Sequence, residues 1–325
     1  MEKANLLSIA IPTFNRCEFL DFFIEHHLSS LKELSISLLI SDNSSTDSTR
    51  EVVEKWKKEY ENIFYFRNSK NIGEVNFEKA LLHSKSTYTW LVGDTYKIDK
   101  HGLEKVFNLI KKAVHIDLVV VNGARRISGY QSKTITDPNE ALRELGWHMT
   151  MISTTIYHKS FLSKMNFKRY YNTSFIHLGA TFEAIAQNEI TTLEWLADEV
   201  ISGIKLKNSK KVGWHKDTLE IWLNRWPNVI FSLPSKYTLE NKLHTIRCHN
   251  KNSGVFSIKN LIKLRLENSV SIKQMLNLKN LLAISAPRPE IIKMLIASII
   301  PRSTIKIANR LQNLTIKTNT KKLHK

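Results

Sequence analysis

Over the first 125 residues, short apolar runs alternate with amphipathic stretches of about ten residues. That alternation constrains the fold more than anything else in the chain. Residues 7–11 are apolar and stop at Pro12, as a buried strand does. Residues 18–31 set Phe19, Phe22, Phe23 and His26 at helical spacing, and 36–40 form a second apolar run. A charged helix is expected over 46–60, with Val52, Val53 and Trp56 on one face. Strands at 62–66, 88–92 and 116–121 then alternate with helices at 75–82 and 103–113. This order predicts βαβ units: an α/β fold with a mainly parallel sheet flanked by helices. In such sheets ligands bind at the carboxyl ends of the strands. Residues 126–215 are less regular, with turn signals at Ser128-Gly129 and Asp137-Pro138-Asn139. From about residue 217 the pattern is mostly helical, with Trp222 and Trp226 four apart.

Composition narrows the class. The chain has 325 residues, 42% hydrophobic and 24% charged, which suits a globular protein. Cys17 and Cys248 form no disulfide framework and no zinc-type spacing, which favours a reducing compartment. The first apolar run is too short for a secretory segment, and no run approaches the roughly 18 residues of a membrane span. A cytoplasmic protein is therefore expected. The net charge of +18 is unevenly spread. Residues 251–325 hold 15 Lys/Arg against Glu267 and Glu290, whereas the first 250 hold 33 against 28 acids. Such asymmetry predicts an anionic partner, lipid or nucleic acid. The basic excess is interleaved with Leu and Ile and matches no nucleic-acid module, so no nucleic-acid partner is expected. Residues 290–300 carry Ile291, Ile292, Met294, Leu295, Ile296, Ile299 and Ile300, followed by Pro301, Arg302, Lys306 and Arg310. That pattern suits a helix in an anionic membrane interface; it equally suits packing on the domain with solvated lysines. Residues 315–325 read as disordered.

Four segments fall where loops should follow strands. Pro12-Thr13-Phe14-Asn15-Arg16 offers polar groups and a guanidinium, and Asn15 equally suits a helix cap. Asp42, at the head of Asp-Asn-Ser-Ser-Thr-Asp, can accept from a base or ribose; Thr46 or Asp47 can cap the next helix. Asn71-Ile72-Gly73 allows close backbone approach or a turn with positive φ. Asp94, after Trp90-Leu91-Val92-Gly93, can hold ribose or a divalent cation, or serve only a turn.

Taken in order, these motifs resemble those of bacterial family 2 glycosyltransferases of the GT-A fold, over roughly residues 5–125 and weakening to about 200. The resemblance implies an inverting transfer of a sugar from a nucleoside diphosphate-sugar, by family habit a UDP-sugar, to a hydroxyl. The acceptor would be a glycan or a polyprenyl-linked intermediate of surface polysaccharide, met at the inner face of the cytoplasmic membrane. It implies a GT-A domain over 1–215, with a nucleotide-binding half (1–125) and an acceptor half (126–215), then a helical, basic region over 216–325. Pro12, Thr13, Asn15 and Arg16 would meet the nucleoside, Asp42 the base, and Asn71 and Gly73 would lie over the nucleotide. Asp94 would open the Asp-x-Asp element that holds Mn²⁺ or Mg²⁺.

Here the chain departs from the pattern. It reads Asp94-Thr95-Tyr96, and a phenol is a poor ligand for these ions. Either Asp94 alone holds an ion, or Asp99 substitutes, or Arg16, Lys97, Arg125 and Arg126 neutralise the diphosphate, or activity is lost. The last outcome leaves a non-catalytic nucleotide-sugar binder. Inversion needs a general base. The resemblance points to a carboxylate at the start of a helix beyond residue 170, which selects Glu183 and then Glu189. Trp147 and His148 are candidates for a sugar-stacking wall and His177 for orienting the acceptor, each equally readable as core.

Overall fold

The computed structural model describes residues 5–206 and 217–304. The chain divides into two units: Met1–Ser209 with Val229–Thr245, and Lys210–Asn228 with Ile246–Lys325.

The first unit opens with β1 (Leu7–Thr13), α1 (Cys17–Glu33), β2 (Ser37–Asp42), α2 (Thr49–Lys57), β3 (Ile63–Arg67), α3 (Val75–Leu82) and β4 (Tyr88–Leu91). Strands β3, β2, β1 and β4 lie side by side and parallel, as expected of βαβ units. Helix α1 covers the sheet with Phe19, Leu20, Phe23, Ile24 and Leu31. His27, not His26, completes that face, because burial follows the 3.6-residue period one position later than Phe22 suggested. The register sets the site: Thr13 pairs with Asp42, and Ala10 with Leu91. The carboxyl ends of β1, β2 and β4 therefore finish together.

Beyond β4 the sheet becomes mixed. The chain continues through β5 (Tyr96–Ile98), α4 (Lys100–Lys112), β6 (Leu118–Gly123), β7 (Lys133–Ile135), α5 (Pro138–Leu145), β8 (Thr155–His158), α6 (Lys159–Leu162), α7 (Ile176–Gln187) and β9 (Leu193–Gly203). Strand β8 runs antiparallel between β4 and β6, and β6 is parallel to β9. Strands β5 and β7 both run antiparallel to β9. The α/β fold class stands, but the expected mainly parallel sheet is parallel only in its first four strands and in the β6–β9 pair. The short strands β5, β7 and β8 form because longer neighbours offer backbone partners, not because of their own pattern.

The division expected at residues 215–216 is not a single cut. Residues 229–245 return to the first unit. Tyr237 donates to Phe182 O (2.6 Å), Thr245 Oγ1 to Leu142 O (2.8 Å), and Thr238 N to Asn139 Oδ1 (2.9 Å). These bonds tie that stretch to α5 and α7.

After residue 217 all described elements are helical: α8 (Thr218–Glu220), a π-helical turn (Ile221–Arg225), α9 (Trp226–Ser232), α10 (Leu239–Asn252), α11 (Ile258–Leu266), α12 (Ile272–Asn277), α13 (Lys279–Ser285) and α14 (Arg288–Ile299). The second unit has its own core, including Leu219, Leu223, Phe256, Leu264, Met275 and Met294. Ser257 and Ser271 cap α11 and α12. Helix α14 buries Met294, Ala297 and Ser298 but leaves Ile292, Leu295, Ile296 and Ile299 exposed. Among the described residues, no helix is long and apolar enough to cross a membrane. Lys306, Arg310 and the segment 315–325 lie outside the described residues.

Candidate functional site

Asp94 follows β4 and lies beside the end of β1, where the register brings Thr13. The Thr13 hydroxyl donates to Asp94 Oδ2 (2.9 Å), and Arg16 Nη1 meets Asp94 Oδ1 (2.7 Å). Both carboxylate oxygens are thus engaged, and the Asp94 side chain is only 7% exposed against 26% for Arg16. Burial pushes the Asp94 carboxyl above its ordinary range, and Arg16 and Thr13 pull against it.

The neighbouring loops are knitted to this pair. Asn15 has a left-handed φ of 53°. Its Oδ1 accepts from Thr46 N (2.7 Å) and its N–H donates to Ser45 Oγ (2.9 Å), so it joins the first loop to the second and caps nothing. Asp47 accepts from Cys17 N (2.9 Å) and Thr49 N (3.1 Å), strapping the starts of α1 and α2. Asp42 is buried and fully occupied. It accepts from Ser45 N (2.8 Å) and from the Tyr65 hydroxyl (2.6 Å), with Arg67 Nε at 3.4 Å. Burial, and then Asp42, push the Tyr65 phenol well up. Pro12 is buried in β1 opposite Ser41.

The Asn71–Gly73 loop is held by a residue that sequence reasoning passed over. Asn43 Nδ2 donates to Asn71 Oδ1 (2.9 Å) and Gly73 O (3.1 Å), while its Oδ1 accepts from Ile72 N (2.8 Å). Gly73 has φ of +60°, the conformation that favours glycine there. Thr13, Arg16, Asp42, Asn71, Gly73 and Asp94 therefore belong to one connected edge, with Asn43 and Asn15 as its clasps.

Tyr96 and Arg126 extend it. Burial pushes the Tyr96 phenol up, and the guanidinium groups of Arg126 and Arg16 act on it in the opposite direction. Arg126 donates to His148 O (3.0 Å) and Trp147 O (3.3 Å) and lies 4.9 Å over the Trp147 ring. Burial lowers its pKa to about 10.

The remaining candidates are not gathered here as expected. Trp147 and His148 are buried, so they form no open stacking wall; their carbonyls anchor Arg126 instead. His148 Nε2 lies 3.0 Å from Val121 O, and His177 Nε2 lies 3.1 Å from Met149 O. Burial lowers their pKa values to about 3 and about 4, with Arg126 adding to the effect at His148. His177 is a packed histidine at the start of α7.

Glu183 lies two turns further along α7 and is 4% exposed. At 1.5 Å per residue that is about 9 Å below His177. Glu183 pairs with Arg169 (3.2 Å) and Gln187 (3.2 Å). It is a buried carboxylate with a guanidinium partner. Glu189 is exposed beyond the end of α7, before β9 begins.

For a divalent cation, the Asp-x-Asp element offers Asp94 alone, and Arg16 already holds that carboxylate. Among the described residues, no group of three His, Cys, Asp or Glu side chains could hold a metal ion. Asp99 caps α4 through Gly102 N (3.0 Å), so it does not fold back to help Asp94. Lys97 is in β5 opposite Ser202, and Arg125 is ion-paired with Glu199.

Solved structures share this architecture. A Staphylococcus aureus TarS 1–349 structure, described as a complex with UDP-GlcNAc, is 18% identical with a TM-score of 0.55, over 94% of this chain and 92% of that one. The mannosyltransferase PcManGT from Pyrobaculum calidifontis, described with GDP-Man and Mn²⁺, is 13% identical with a TM-score of 0.52, over 91% and 86%. These likenesses establish the fold as GT-A. In sequence, the chain is 37% identical over 101 residues to abequosyltransferase RfbV of Salmonella typhimurium, 30% of each protein. It is 29% identical over 94 residues to succinoglycan biosynthesis protein ExoA of Rhizobium meliloti, 29% of this chain and 27% of that one. The chain thus spans under a third of the length of either relative. Residues 8–181, over half of the chain, match the family model described as glycosyl transferase family 2, and the chain belongs to that family.

Proposed function

We propose that this protein transfers a sugar, with inversion, from a nucleoside diphosphate-sugar to a hydroxyl of a glycan or polyprenyl-linked acceptor during synthesis of bacterial surface polysaccharide (O-antigen, capsule or lipooligosaccharide). The single observation that carries the reading is the contact of Thr13, Arg16 and Asp94 where β1 and β4 end, joined to the Asn43-clasped loop over β2. The names of the relatives, an abequosyltransferase and a succinoglycan biosynthesis protein, support it, and a UDP-sugar carrying a hexosyl or N-acetylhexosaminyl group is the first choice of donor.

The acceptor oxygen attacks the anomeric carbon on the face opposite the diphosphate. The carbon–oxygen bond to phosphate breaks, and its electron pair leaves on the diphosphate. The acceptor proton passes to a general base; we read Glu183, paired with Arg169 (3.2 Å), as structural rather than as that base. Asp42 is spent on Ser45 and Tyr65, so its part is to hold the pocket that receives the base.

The test is a panel of labelled UDP-, GDP-, CDP- and dTDP-sugars incubated with the full chain and a lipid extract. Transfer, or release of nucleoside diphosphate, from one donor supports the enzyme. Binding without release supports the non-catalytic alternative, whose basis is Tyr96 in place of a carboxylate. If no donor raises the melting temperature, the cleft is not a nucleotide-sugar site.

We place its work on the cytoplasmic membrane surface. Residues 251–304 carry nine Lys/Arg against two Glu. The exposed residues Ile292, Leu295, Ile296 and Ile299 recur at i, i+3, i+4 and i+7, one stripe along α14. An apolar stripe within a cationic unit matches an anionic lipid interface.

A further inference from the structure

We propose that Arg16, paired with Asp94, and Arg126, anchored over Trp147, take up the negative charge of the donor's diphosphate, so that donor binding here needs no metal ion. The inference rests on reading the cleft as a nucleoside-diphosphate site and goes beyond it.

The argument begins with position. Arg16 already occupies Asp94, the one carboxylate the degenerate Asp-x-Asp element retains, through a 2.7 Å contact. The Thr13 hydroxyl holds the other oxygen. At the third position of the element stands Tyr96, and both guanidinium groups act electrostatically on it. The second arginine is built in with care. Its donors meet the carbonyls of Trp147 and His148, and an indole face lies beneath it. None of these partners is anionic, so its charge is left uncompensated by them. Asp94, Arg16 and Arg126 together carry one more positive than negative charge, which offsets part of the charge a diphosphate brings. Guanidinium is the side-chain group whose paired donors match phosphate oxygens.

The same geometry gives Arg16 two roles that a titration can separate. It screens Asp94 from cations, and it presents charge to phosphate. Removing it should weaken diphosphate binding and at the same time free a carboxylate for an ion.

The experiment is calorimetric titration of the full chain with UDP, GDP, CDP and dTDP, each in excess EDTA and in MnCl₂, with the matching nucleoside as control. For the nucleotide that binds, the wild-type Kd should agree within about twofold between the two buffers. The diphosphate should bind about ten- to a hundredfold tighter than its nucleoside. Arg16→Gln and, separately, Arg126→Gln should each erase most of that gap without changing nucleoside affinity. Arg16→Gln should also become Mn²⁺-responsive. Wild-type binding tenfold or more tighter in MnCl₂ than in EDTA overturns the proposal, and that result needs no variant to fold. Equal affinity for diphosphate and nucleoside overturns the arginines' role while leaving the nucleotide site intact. No binding in either buffer removes the nucleotide reading and this proposal together.

Discussion

The edge built on Asp94 and the surface of α14 solve opposite problems. At the edge, polar and charged groups lie inside and are paired: Asp94 with Arg16, Asp42 with Tyr65, Asn43 with the Asn71–Gly73 loop. On α14, apolar side chains lie outside, with exposures of 56% for Ile292, 52% for Ile296 and 65% for Ile299. Buried polar groups cost free energy unless they are hydrogen-bonded, and contiguous exposed apolar groups are rarely left without a use. The contrast sets a polar, inward-facing edge in the first unit against an apolar, outward-facing stripe in the second.

Acid should break the first half of that comparison most strongly. His27, His148 and His177 are buried and neutral, with pKa values lowered from 6.5 to about 4, 3 and 4, mainly by burial. His27 Nδ1 meets Phe23 O and its Nε2 lies by the backbone of Ile98, so burial, not a missing acceptor, is what opposes an added proton. Their folded pKa values lie below the unfolded value. The stability they contribute is therefore complete above pH 6.5 and is lost as pH falls toward 4. Each histidine costs about 1.4 kcal/mol per pH unit in that window, so three cost about 8 kcal/mol at pH 4.5. A domain's whole stability is roughly 5–15 kcal/mol. Thermal melts followed by near-ultraviolet circular dichroism should show a steep loss between pH 6.5 and 4.5. A flat profile there would mean that these rings reach solvent.

A smaller effect is expected at Glu183, where sequence and structure part company. Glu183→Gln should change stability by about 1 kcal/mol, through the Arg169 and Gln187 contacts, and leave turnover within about twofold. A loss of turnover by orders of magnitude would return Glu183 to the chemistry.

The surroundings of Glu183 were not legible, and the cause is physical. The segment from Phe175 to Glu183 looks like the start of a helix, but α7 already begins at Ile176. Gly179 also lets the Tyr170 ring pack so closely that an added Cβ would lie 2.2 Å from it. A helix buried that deeply hides its carboxylate, and no local spacing announces it. The β1, β2 and β4 ends were legible because apolar runs and turn residues coincide there. The helix over 75–82 appeared within its expected bounds for the same reason. Strands β5, β7 and β8 were not legible, since residues such as Lys133-Thr134-Ile135 become a strand only beside β9. Asn43 stood in plain view beside Asp42. Its partners, however, come from residues 68, 71, 72 and 73, and only the register of β2 on β3 brings them within reach.

The smallest change in stability, and the one that sharpens the comparison most, is expected on α14. Leu295→Ser with Ile296→Ser removes side chains that are already about half in solvent, so stability should move by no more than about 1 kcal/mol. Membrane binding should respond far more. Vesicles rich in phosphatidylglycerol, sedimented with the full chain at low salt, should bind both proteins, because the cations of the second unit are unchanged. At high salt that electrostatic part is screened, and only burial of the stripe in the interface remains. Losing two such side chains at about 1.5 kcal/mol each amounts to roughly a hundredfold in affinity. The wild type should therefore stay on the vesicles in high salt and the double variant should leave them. A wild type that also leaves would reduce the second unit to a charged surface. A double variant that turns a dimer into a monomer in analytical centrifugation would show that a second copy of the chain, not lipid, covers the stripe.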